Sequence, residues 1–306
     1  MHRFVVTFAA LSITSPVIAF GADAAPAGSA QKAILVTGAS TGIGRTITEQ
    51  LAAGGYFVYA GARKESDLKE LAAIRNVQAV RLDVTKQEDI TAAVDTVRKG
   101  GRGLYALVNN AGVGTLGPVV GGNDAEFDLT MDVNVRGVYR VTKAFAPMII
   151  ASRGRITSIG SISGILAGAN ASAYTMSKHA IEAFTDSLAQ EMVQNNVLVS
   201  VVEPGNYNSN IAKNAVERLK ADPKLADRSR FKEPDEVAAA VSLALFEATP
   251  KRRYMVVPNQ GEAERTIRKQ IEQLAQLNEG HAYTYDRDAL VKMLDESLAA
   301  SRPKTK

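Results

Sequence analysis

Thr37-Gly38-Ala39-Ser40-Thr41-Gly42-Ile43-Gly44 directly follows a short apolar run that begins at Ala33, and it opens a segment with helical periodicity. A glycine-rich turn between a strand and a helix is typical of a dinucleotide-binding loop. Glycines let the backbone turn sharply and approach a pyrophosphate, and free N–H groups at the helix N-terminus favour negative charge. An ordinary glycine-rich turn contains the same residues, but this spacing after a strand favours the nucleotide loop. The predicted cofactor contacts are Gly38, Ser40, Thr41, Gly42, Ile43 and Gly44.

Outward from this loop, short apolar runs alternate with longer helical segments, as in βαβ units that build a parallel sheet. Several runs are apolar almost throughout, which is typical of strands buried on both faces. The predicted strands are residues 33–37, 57–61, 79–82, 106–109, 155–159, 198–202 and 255–257. The predicted helices are residues 42–53, 66–74, 87–98, 124–150, 173–194 and 234–246. The fold class is therefore α/β, a doubly wound and mostly parallel seven-stranded sheet.

The segment after Pro258 differs from this alternation. Residues 262–277 and 288–298 read as amphipathic helices, with Ile267, Ile271 and Leu274 along one face of the first. A helical lid, a subunit contact and packing on the same domain are all compatible with that pattern. We therefore predict one dinucleotide-binding catalytic domain over residues 31–258 and a C-terminal helical extension over residues 259–306.

Composition excludes several classes of function. The 306 residues include 36 basic and 32 acidic side chains mixed along the chain, so no basic stripe suits a nucleic-acid backbone. Cysteine is absent, which excludes disulfides, thiol catalysis and thiolate metal sites. The three histidines are scattered, and none belongs to a metal-ligand spacing. We predict no metal site and no nucleic-acid partner.

The N-terminus carries a targeting signal. His2 and Arg3 precede an apolar run over residues 4–20, and Ala22-Asp23-Ala24 resembles a cleavage site, so residues 1–30 read as a secretory signal peptide. A disordered or mis-started leader is the alternative, because Pro16 interrupts the run and the run is short for a membrane span. We expect no stable membrane span. The signal predicts export to a periplasmic or extracellular location, whereas a nicotinamide cofactor favours the cytoplasm, and both remain open.

The residues that select between NAD(H) and NADP(H) are expected at the end of the second predicted strand, about 20 residues after the glycine-rich loop. Ala60-Gly61-Ala62-Arg63 contains no acid that would bind a ribose 2′-hydroxyl. Arg63 and the adjacent Lys64 are able to form charge-assisted bonds to a 2′-phosphate, although a solvated surface pair is the alternative. NADP(H) is favoured and NAD(H) remains possible.

Two further polar segments follow predicted strands, at the edge of the sheet where ligands bind in this class of fold. Asp83-Val84 is placed to present a carboxylate to an adenine amino group, and Asn109-Asn110-Ala111-Gly112 follows the fourth strand. Asp and Asn are also common in turns that bind nothing. The predicted contacts are Asp83, Val84, Asn110, Ala111 and Gly112.

Tyr174 and Lys178 are four residues apart on a predicted helix and therefore share one face. A tyrosine has a pKa of about 10 when free, and a nearby ammonium favours the phenolate. Ser161 follows the fifth strand and is able to donate a hydrogen bond to a substrate oxygen, while Asn134 is able to hold a water that links Lys178 to solvent. By themselves, a tyrosine and a lysine at this spacing would more often be a surface pair.

Together these motifs resemble the single-domain branch of the short-chain dehydrogenase/reductase family. The resemblance covers residues 32–258 and is carried by TGASTGIG, LDVT, NNAG, Asn134, Ser161, YTMSK and EPG. It implies a Rossmann-type fold, Tyr174 as general acid/base, Lys178 on the nicotinamide ribose and acting to lower the tyrosine pKa, and Ser161 positioning substrate. Asn134 would complete a proton relay.

The resemblance also places Pro204 and Gly205 beside the nicotinamide. Ser209 stands where the family usually has a threonine against the carboxamide, with Tyr207 altering the pocket beside it. Gly160 replaces a common serine just before Ser161, and Ser163 is a possible substitute for Ser161. The sequence from Tyr174 to Asn208 is most similar to steroid, retinol and hydroxybutyrate dehydrogenases, which often prefer NAD(H).

The predicted function is hydride transfer between NADP(H) and a secondary alcohol or ketone, with a partly apolar small-molecule substrate suggested by the mixed lid segment at residues 209–230. A nucleotide-sensing binding protein without turnover is the alternative. A dehydratase or epimerase of the extended branch would show a different glycine spacing and a larger substrate domain. We also expect a homodimer or homotetramer.

Overall fold

The computed structural model describes residues 31–300, in which seven strands form one sheet. The strands are β1 (Ala33–Val36), β2 (Phe57–Ala62), β3 (Val77–Arg81), β4 (Ala106–Asn109), β5 (Arg155–Ile159), β6 (Leu198–Pro204) and β7 (Arg253–Val256). Their order is β3-β2-β1-β4-β5-β6-β7, and each neighbouring pair is parallel. The order reverses between β1 and β4, which opens a crevice at the carboxyl ends of these strands. The seven-stranded α/β prediction is confirmed, with a sheet that is parallel throughout.

Helices cover both faces of the sheet. They are α1 (Gly42–Ala53), α2 (Glu65–Ala72), α3 (Gln87–Lys99), α4 (Asp124–Met131), α5 (Val138–Ala151), α6 (Ser172–Glu191), α7 (Ile211–Leu219), α8 (Asp235–Phe246), α9 (Gln260–Leu277) and α10 (Arg287–Ala300). Successive residues of a strand point to opposite faces, so β1 contributes to two cores. Ile34 and Val36 pack with α1 and α8, while Ala33 and Leu35 pack with α3 and α5. Each fully buried aliphatic side chain of this size stabilises the fold by about 1.5–3 kcal/mol.

The single helix predicted over residues 124–150 is wrong. A π-helical segment, Asp132–Gly137, separates α4 from α5. Tertiary contacts account for the break, because the Asn134 side chain bonds the Val113 backbone and Gly137 packs tightly against Val84. A Cβ on Gly137 would lie 2.6 Å from Val84 Cγ2. Such π-helical insertions inside α-helices occur frequently at functional sites.

Several predicted boundaries also move. The strand predicted at 79–82 begins at Val77, which pairs with Val58, and the strand predicted at 255–257 begins at Arg253, which pairs with Val201. Neighbouring strands extend both elements beyond their apolar runs. The helix predicted over 173–194 ends at Glu191 and is followed by a 3₁₀ turn.

Both C-terminal helices are present, but their apolar face is not packed on the domain. Ile267, Ile271 and Leu274 are each at least half exposed, and no residue of α10 is buried. The buried residues of α9 are instead the polar Glu262 and Thr266 in its first two turns. The amphipathic pattern therefore predicted the helices correctly, while the contact to the domain is made by polar side chains.

The predicted signal segment, residues 1–30, lies outside the described residues. Within residues 31–300, no helix has the length and apolar character needed to cross a membrane.

Candidate active site

A cleft of about 430 Å³ lies where the strand order reverses, at the carboxyl ends of β1 and β4. Every site residue predicted from the sequence lines this cleft except Asn134. The predicted residues brought together are Gly38, Ser40, Thr41, Gly42, Ile43, Gly44, Arg63, Asp83, Val84, Asn110, Ala111, Gly112, Ser161, Tyr174, Lys178, Pro204, Gly205 and Ser209. The fold therefore joins segments that are more than 160 residues apart in the chain.

The glycine-rich loop packs so closely against its own backbone and against Ala111 that side chains at Gly38 and Gly44 would clash. Gly38 and Gly42 adopt φ of +63° and +54°, a region that favours glycine. A Cβ on Gly44 would lie 2.2 Å from Gly38 O, and one on Gly38 would lie 2.8 Å from Ala111 Cα. Thr41, the N-cap of α1, makes no capping side-chain bond within the described residues. The first N–H groups of the helix therefore face the cleft, where they suit a phosphate group.

Asn110 and Thr37 brace this loop against β4. Asn110 Nδ2 donates to the carbonyl oxygens of Thr37 and Gly38, both at 2.9 Å. Thr37 Oγ1 accepts from the backbone nitrogens of Asn110 and Ala111, both at 3.0 Å. The Asn110 side chain thus holds the phosphate loop in shape, a contact that was not predicted.

Arg63 and Asp83 face each other at the adenosine end of the cleft, with Arg63 Nη1 3.9 Å from Asp83 Oδ2. Burial acts to raise the pKa of Asp83, but two hydrogen bonds from Thr85 and the charges of Arg63 and Lys86 hold that pKa below its usual value. Asp83 is therefore a carboxylate at neutral pH. Arg63 is 61% exposed, so its guanidinium has room to reorient toward an anion.

Tyr174, Ser161 and Lys178 meet at the inner end of the cleft. The Ser161 hydroxyl donates to Pro204 O at 3.4 Å and accepts from the backbone nitrogen of Ser163 at 3.0 Å, and it favours the Tyr174 phenolate. Lys178 Nζ donates to Ile159 O at 2.8 Å and lies 5.7 Å from the centre of the Tyr174 ring. Ser163 supports Ser161 through its backbone and does not line the cleft.

The protein's own groups move the pKa of Tyr174 upward. Burial raises it above its ordinary value, while the Ser161 hydrogen bond and the Arg228 charge act in the opposite direction. Burial also lowers the pKa of Lys178 to about 8, opposed by the Glu182 carboxylate. The net direction for Tyr174 is upward because desolvation is the largest effect, and the lowering of the tyrosine pKa by Lys178 stays a prediction.

Asn134 lies one layer behind this group. Its Oδ1 accepts from Val113 N at 2.8 Å, and its Nδ2 donates to Val113 O and to Ser177 Oγ, both at 3.0 Å. The side chain is fully engaged and 2% exposed. It joins the π-helical segment to the helix that carries Tyr174 and Lys178.

The turn after β6 contacts the glycine-rich loop and completes the wall of the cleft. Ser209 packs against Gly42, whose Cβ would lie 3.2 Å from Ser209 Cβ. Tyr207 is buried, and its hydroxyl donates to the Glu236 carboxylate. Burial, followed by that carboxylate, raises the pKa of Tyr207, which keeps this phenol neutral. Tyr207 therefore forms a wall and is not a second acid/base.

Two residues that border this turn were missed by the sequence analysis. Glu262 of α9 accepts hydrogen bonds from Asn206, directly after Gly205. Arg228 donates to Asn206 Oδ1 at 3.2 Å and favours the Tyr174 phenolate. Both lie far from Asn206 in the chain, and no motif or periodicity marks them.

The predicted lid segment forms a helix over the cleft. Arg218 of α7 binds both carboxylate oxygens of Glu126 through Nε, at 2.8 and 3.0 Å, and donates to Gly114 O at 2.6 Å. This helix adds Ile211, Lys213, Asn214 and Glu217 to the wall of the cleft. The wall is mixed in polarity, as the lid sequence predicted.

This arrangement combines an anion cradle at a helix N-terminus with a phenol, a hydroxyl and an amine that are able to exchange a proton with a substrate oxygen. Such a site, at the switch point of a doubly wound parallel sheet, defines a nicotinamide-dependent oxidoreductase.

Comparison with known proteins agrees with that class. Residues 32–220 match the model of the short-chain dehydrogenase family. The chain is 32% identical over 260 residues to mitochondrial D-beta-hydroxybutyrate dehydrogenase of Mus musculus, covering 73% of this chain and 76% of the relative. It is 36% identical over 196 residues to retinol dehydrogenase 7 of Rattus norvegicus, covering 61% and 60%. The closed form of serine dehydrogenase complexed with NADP+ superposes with a TM-score of 0.68 at 25% identity, covering 73% of this chain and 94% of that one.

The protein belongs to the short-chain dehydrogenase family, and its relatives act on CH–OH groups. The sequence-based resemblance is confirmed. A nicotinamide cofactor follows from membership, and the glycine cradle described above fits its pyrophosphate.

Proposed function

We propose that this protein transfers hydride between NADP(H) and a secondary alcohol or ketone, with Tyr174 as general acid/base. The observation that carries the proposal is that Tyr174, Ser161 and Lys178 line the inner end of one glycine-lined cleft, with Lys178 Nζ 5.7 Å from the centre of the Tyr174 ring. A nucleotide-binding protein without turnover would not need this set of groups.

The steps assigned to the chain's own residues concern the proton and the substrate oxygen. A nicotinamide bound beside Pro204 and Gly205 supplies or accepts the hydride. In the reductive direction, Ser161 donates a hydrogen bond to the carbonyl oxygen while Tyr174 transfers its proton to that oxygen. Lys178 binds the cofactor ribose and stabilises the phenolate that remains. In the oxidative direction the Tyr174 phenolate takes the alcohol proton.

The preference for NADP(H) rests on charge. Arg63 and Lys64 both line the adenosine end of the cleft, and no carboxylate follows β2 directly. Asp83 faces Arg63, however, so the negative charge of a 2′-phosphate must draw the guanidinium away from that partner. The named complex of serine dehydrogenase with NADP+ supports the same choice.

A partly apolar substrate is proposed from the mixed wall of α7 and from the two named relatives, one acting on a short hydroxy acid and one on retinol. The homodimer or homotetramer remains a prediction that sedimentation would test. The assignment of residues 31–258 to a catalytic domain and of 259–306 to an extension is also a proposal.

The deciding experiment is an assay of the full-length chain with NADPH and with NADH against a panel of ketones, with the matching alcohols in the reverse direction. The panel includes 3-hydroxybutyrate, 2-butanol, retinol and a steroid alcohol. We expect turnover with at least one class and faster turnover with the phosphorylated cofactor. Tight NADPH binding without turnover across the panel would favour the binding-protein alternative.

A further inference from the structure

Two largely buried glutamates take no part in the steps assigned above. Glu182 follows Lys178 by one turn of α6, and Glu203 stands in β6 directly before Pro204. Glu203 is 2% exposed, and the Glu182 side chain is 13% exposed. Both carboxyl groups approach the same nitrogen atom, Nε of Arg253.

The positive charge next to these carboxyl groups does not balance their negative charge. Arg253 of β7 places its Nε 3.1 Å from Glu182 Oε2 and 3.7 Å from Glu203 Oε1. The same guanidinium also binds Asp186 at 2.7 Å, so one cation serves three carboxyl groups. Arg252 reaches only Asp186, at 3.8 Å.

One oxygen of each glutamate, Oε1, has no hydrogen-bond donor within residues 31–300. Two carboxylates in contact at a buried site repel each other strongly. A single proton held between them removes the repulsion and supplies the missing donor. The geometry therefore favours one proton shared by Glu182 and Glu203.

The chain backbone makes space for this pair next to the catalytic serine. A Cβ on Gly160 would lie 2.8 Å from Glu182 Oε1, and one on Gly164 would lie 3.0 Å from Glu182 Cγ. Gly160 immediately precedes Ser161 and stands where the resemblance leads us to expect a serine. A side chain at position 160 would therefore collide with the Glu182 carboxyl group, which explains the glycine there.

The carboxyl pair and Lys178 change charge over the same range of pH. Burial raises the pKa of Glu203 to about 8, and the Glu182 charge adds to that increase. Burial lowers the pKa of Lys178 to about 8, and Glu182 opposes that decrease. Deprotonation of Glu203 therefore adds a second negative charge to the cluster that contains Glu182, at the pH where Lys178 would otherwise lose its own charge.

We propose that Glu182 and Glu203 share one proton and act as positioning residues that keep the Lys178 ammonium charged and in place as the pH rises. The proposal rests on the role assigned to Lys178 above. Loss of the shared proton to solvent increases the negative potential at Lys178, which favours its ammonium form. The charged groups around the pair are Lys178, Asp186 and Arg253, and Arg252 contacts Asp186.

The test compares Glu182→Gln and Glu203→Gln with Glu191→Gln, each in the full-length chain. Glutamine keeps the shape of a protonated glutamate and brings its own donor, so it is able to bond the remaining carboxyl group. Glu191→Gln is the matched control, because it makes the same substitution at the exposed end of the same helix, α6.

The first measurement requires no activity. Because the folded pKa of Glu203 is raised, its stabilising contribution is present below the unfolded pKa of about 4.3 and is lost as the pH rises through about 8. The free energy of unfolding in urea should therefore fall over this range in the wild-type protein. In Glu203→Gln that fall should be smaller, and in Glu191→Gln it should match the wild type.

The second measurement is the affinity for NADPH, followed by its fluorescence from pH 6 to pH 10. Glu182→Gln removes the anion beside Lys178, so the alkaline loss of affinity should move about one pH unit lower. Glu203→Gln should lower it by less, and Glu191→Gln should leave it unchanged. An unfolding profile that changes while the NADPH profile of Glu182→Gln overlays the wild type would overturn the proposal.

Unchanged profiles in both measurements would also overturn it. A different result would show that the proposed function is wrong. The wild-type protein would then bind NADPH with the expected pH dependence but turn over no alcohol or ketone. That result would leave the link between the carboxyl pair and Lys178 intact.

Discussion

Glu262 accepts two hydrogen bonds from Asn206, one from the backbone nitrogen at 2.9 Å and one from Nδ2 at 3.0 Å. The carboxylate is 4% exposed, and a Cβ on Gly205 would lie 2.1 Å from its Oε2. The first turn of α9 is therefore fitted into the turn that follows β6, at the nicotinamide end of the cleft. The C-terminal extension thereby supports a wall of the active site.

Glu262→Gln should weaken cofactor binding, because an amide nitrogen would face a donor on Asn206. A hydrogen bond to a charged group contributes about 1.5–3 kcal/mol, so we expect a rise in the NADPH dissociation constant of about tenfold or more. Fluorescence titration of NADPH measures this. Glu264→Gln is the control, since Glu264 pairs with Arg268 on the exposed face of the same helix. Equal NADPH dissociation constants for the two variants would show that Glu262 does not support cofactor binding.

Tyr174→Phe should lower kcat by roughly 10²–10⁴-fold, the range supplied by a positioned general acid/base. The NADPH dissociation constant should change little, because the phenyl ring still fills the space. Ser161→Ala should lower kcat less and leave cofactor binding unchanged. Steady-state kinetics with the best substrate of the panel provide the comparison, and retained turnover in Tyr174→Phe contradicts the assigned role.

Arg63→Asp should move selectivity from NADP(H) toward NAD(H). The new carboxylate repels a 2′-phosphate and is able to accept a hydrogen bond from a 2′-hydroxyl. The measurement is the ratio of kcat/KM for the two cofactors. Arg81→Asp is a matched control, because Arg81 is equally exposed at 61% and has a similar aspartate partner at 3.8 Å, but it does not line the cleft. The same ratio in both variants would mean that Arg63 does not select the cofactor.

Arg228→Gln should shift the pH dependence of alcohol oxidation toward higher pH. The guanidinium favours the Tyr174 phenolate, so its removal raises the pKa of that phenol and delays formation of the base. The readout is the pH at which kcat/KM for oxidation reaches half of its maximum. Arg230→Gln, an exposed neighbour in the lid segment, should retain the wild-type midpoint. A common midpoint for all three proteins would rule out an influence of Arg228.

The features predicted correctly are those that short stretches of chain encode locally. Gly38 and Gly42 need positive φ, and their spacing between an apolar strand and a helix identifies the phosphate loop without any distant contact. Tyr174 and Lys178 share a face because they are one helical turn apart. The same logic applies to Glu182, one further turn along α6, which the sequence analysis could have included.

Contacts between distant segments were beyond prediction. Asn134 meets Val113 across 21 residues and opens a π-helical segment in what reads as one continuous helix. The net direction of the tyrosine pKa was also missed, because burial cannot be read from the spacing of Tyr174 and Lys178.

The sequence by itself determined the class of fold and the position of the glycine-rich loop, and it led to the proposed acid/base groups, because each depends on backbone conformation or helical periodicity over short stretches of chain. The tertiary structure alone decided what surrounds those groups. Glu182 meets Glu203, and Glu262 meets Asn206, only after β6 and the helices on either side of it have packed together. Desolvation and the pairing of charges depend on that packing, so the electrostatics of the site follow from the fold.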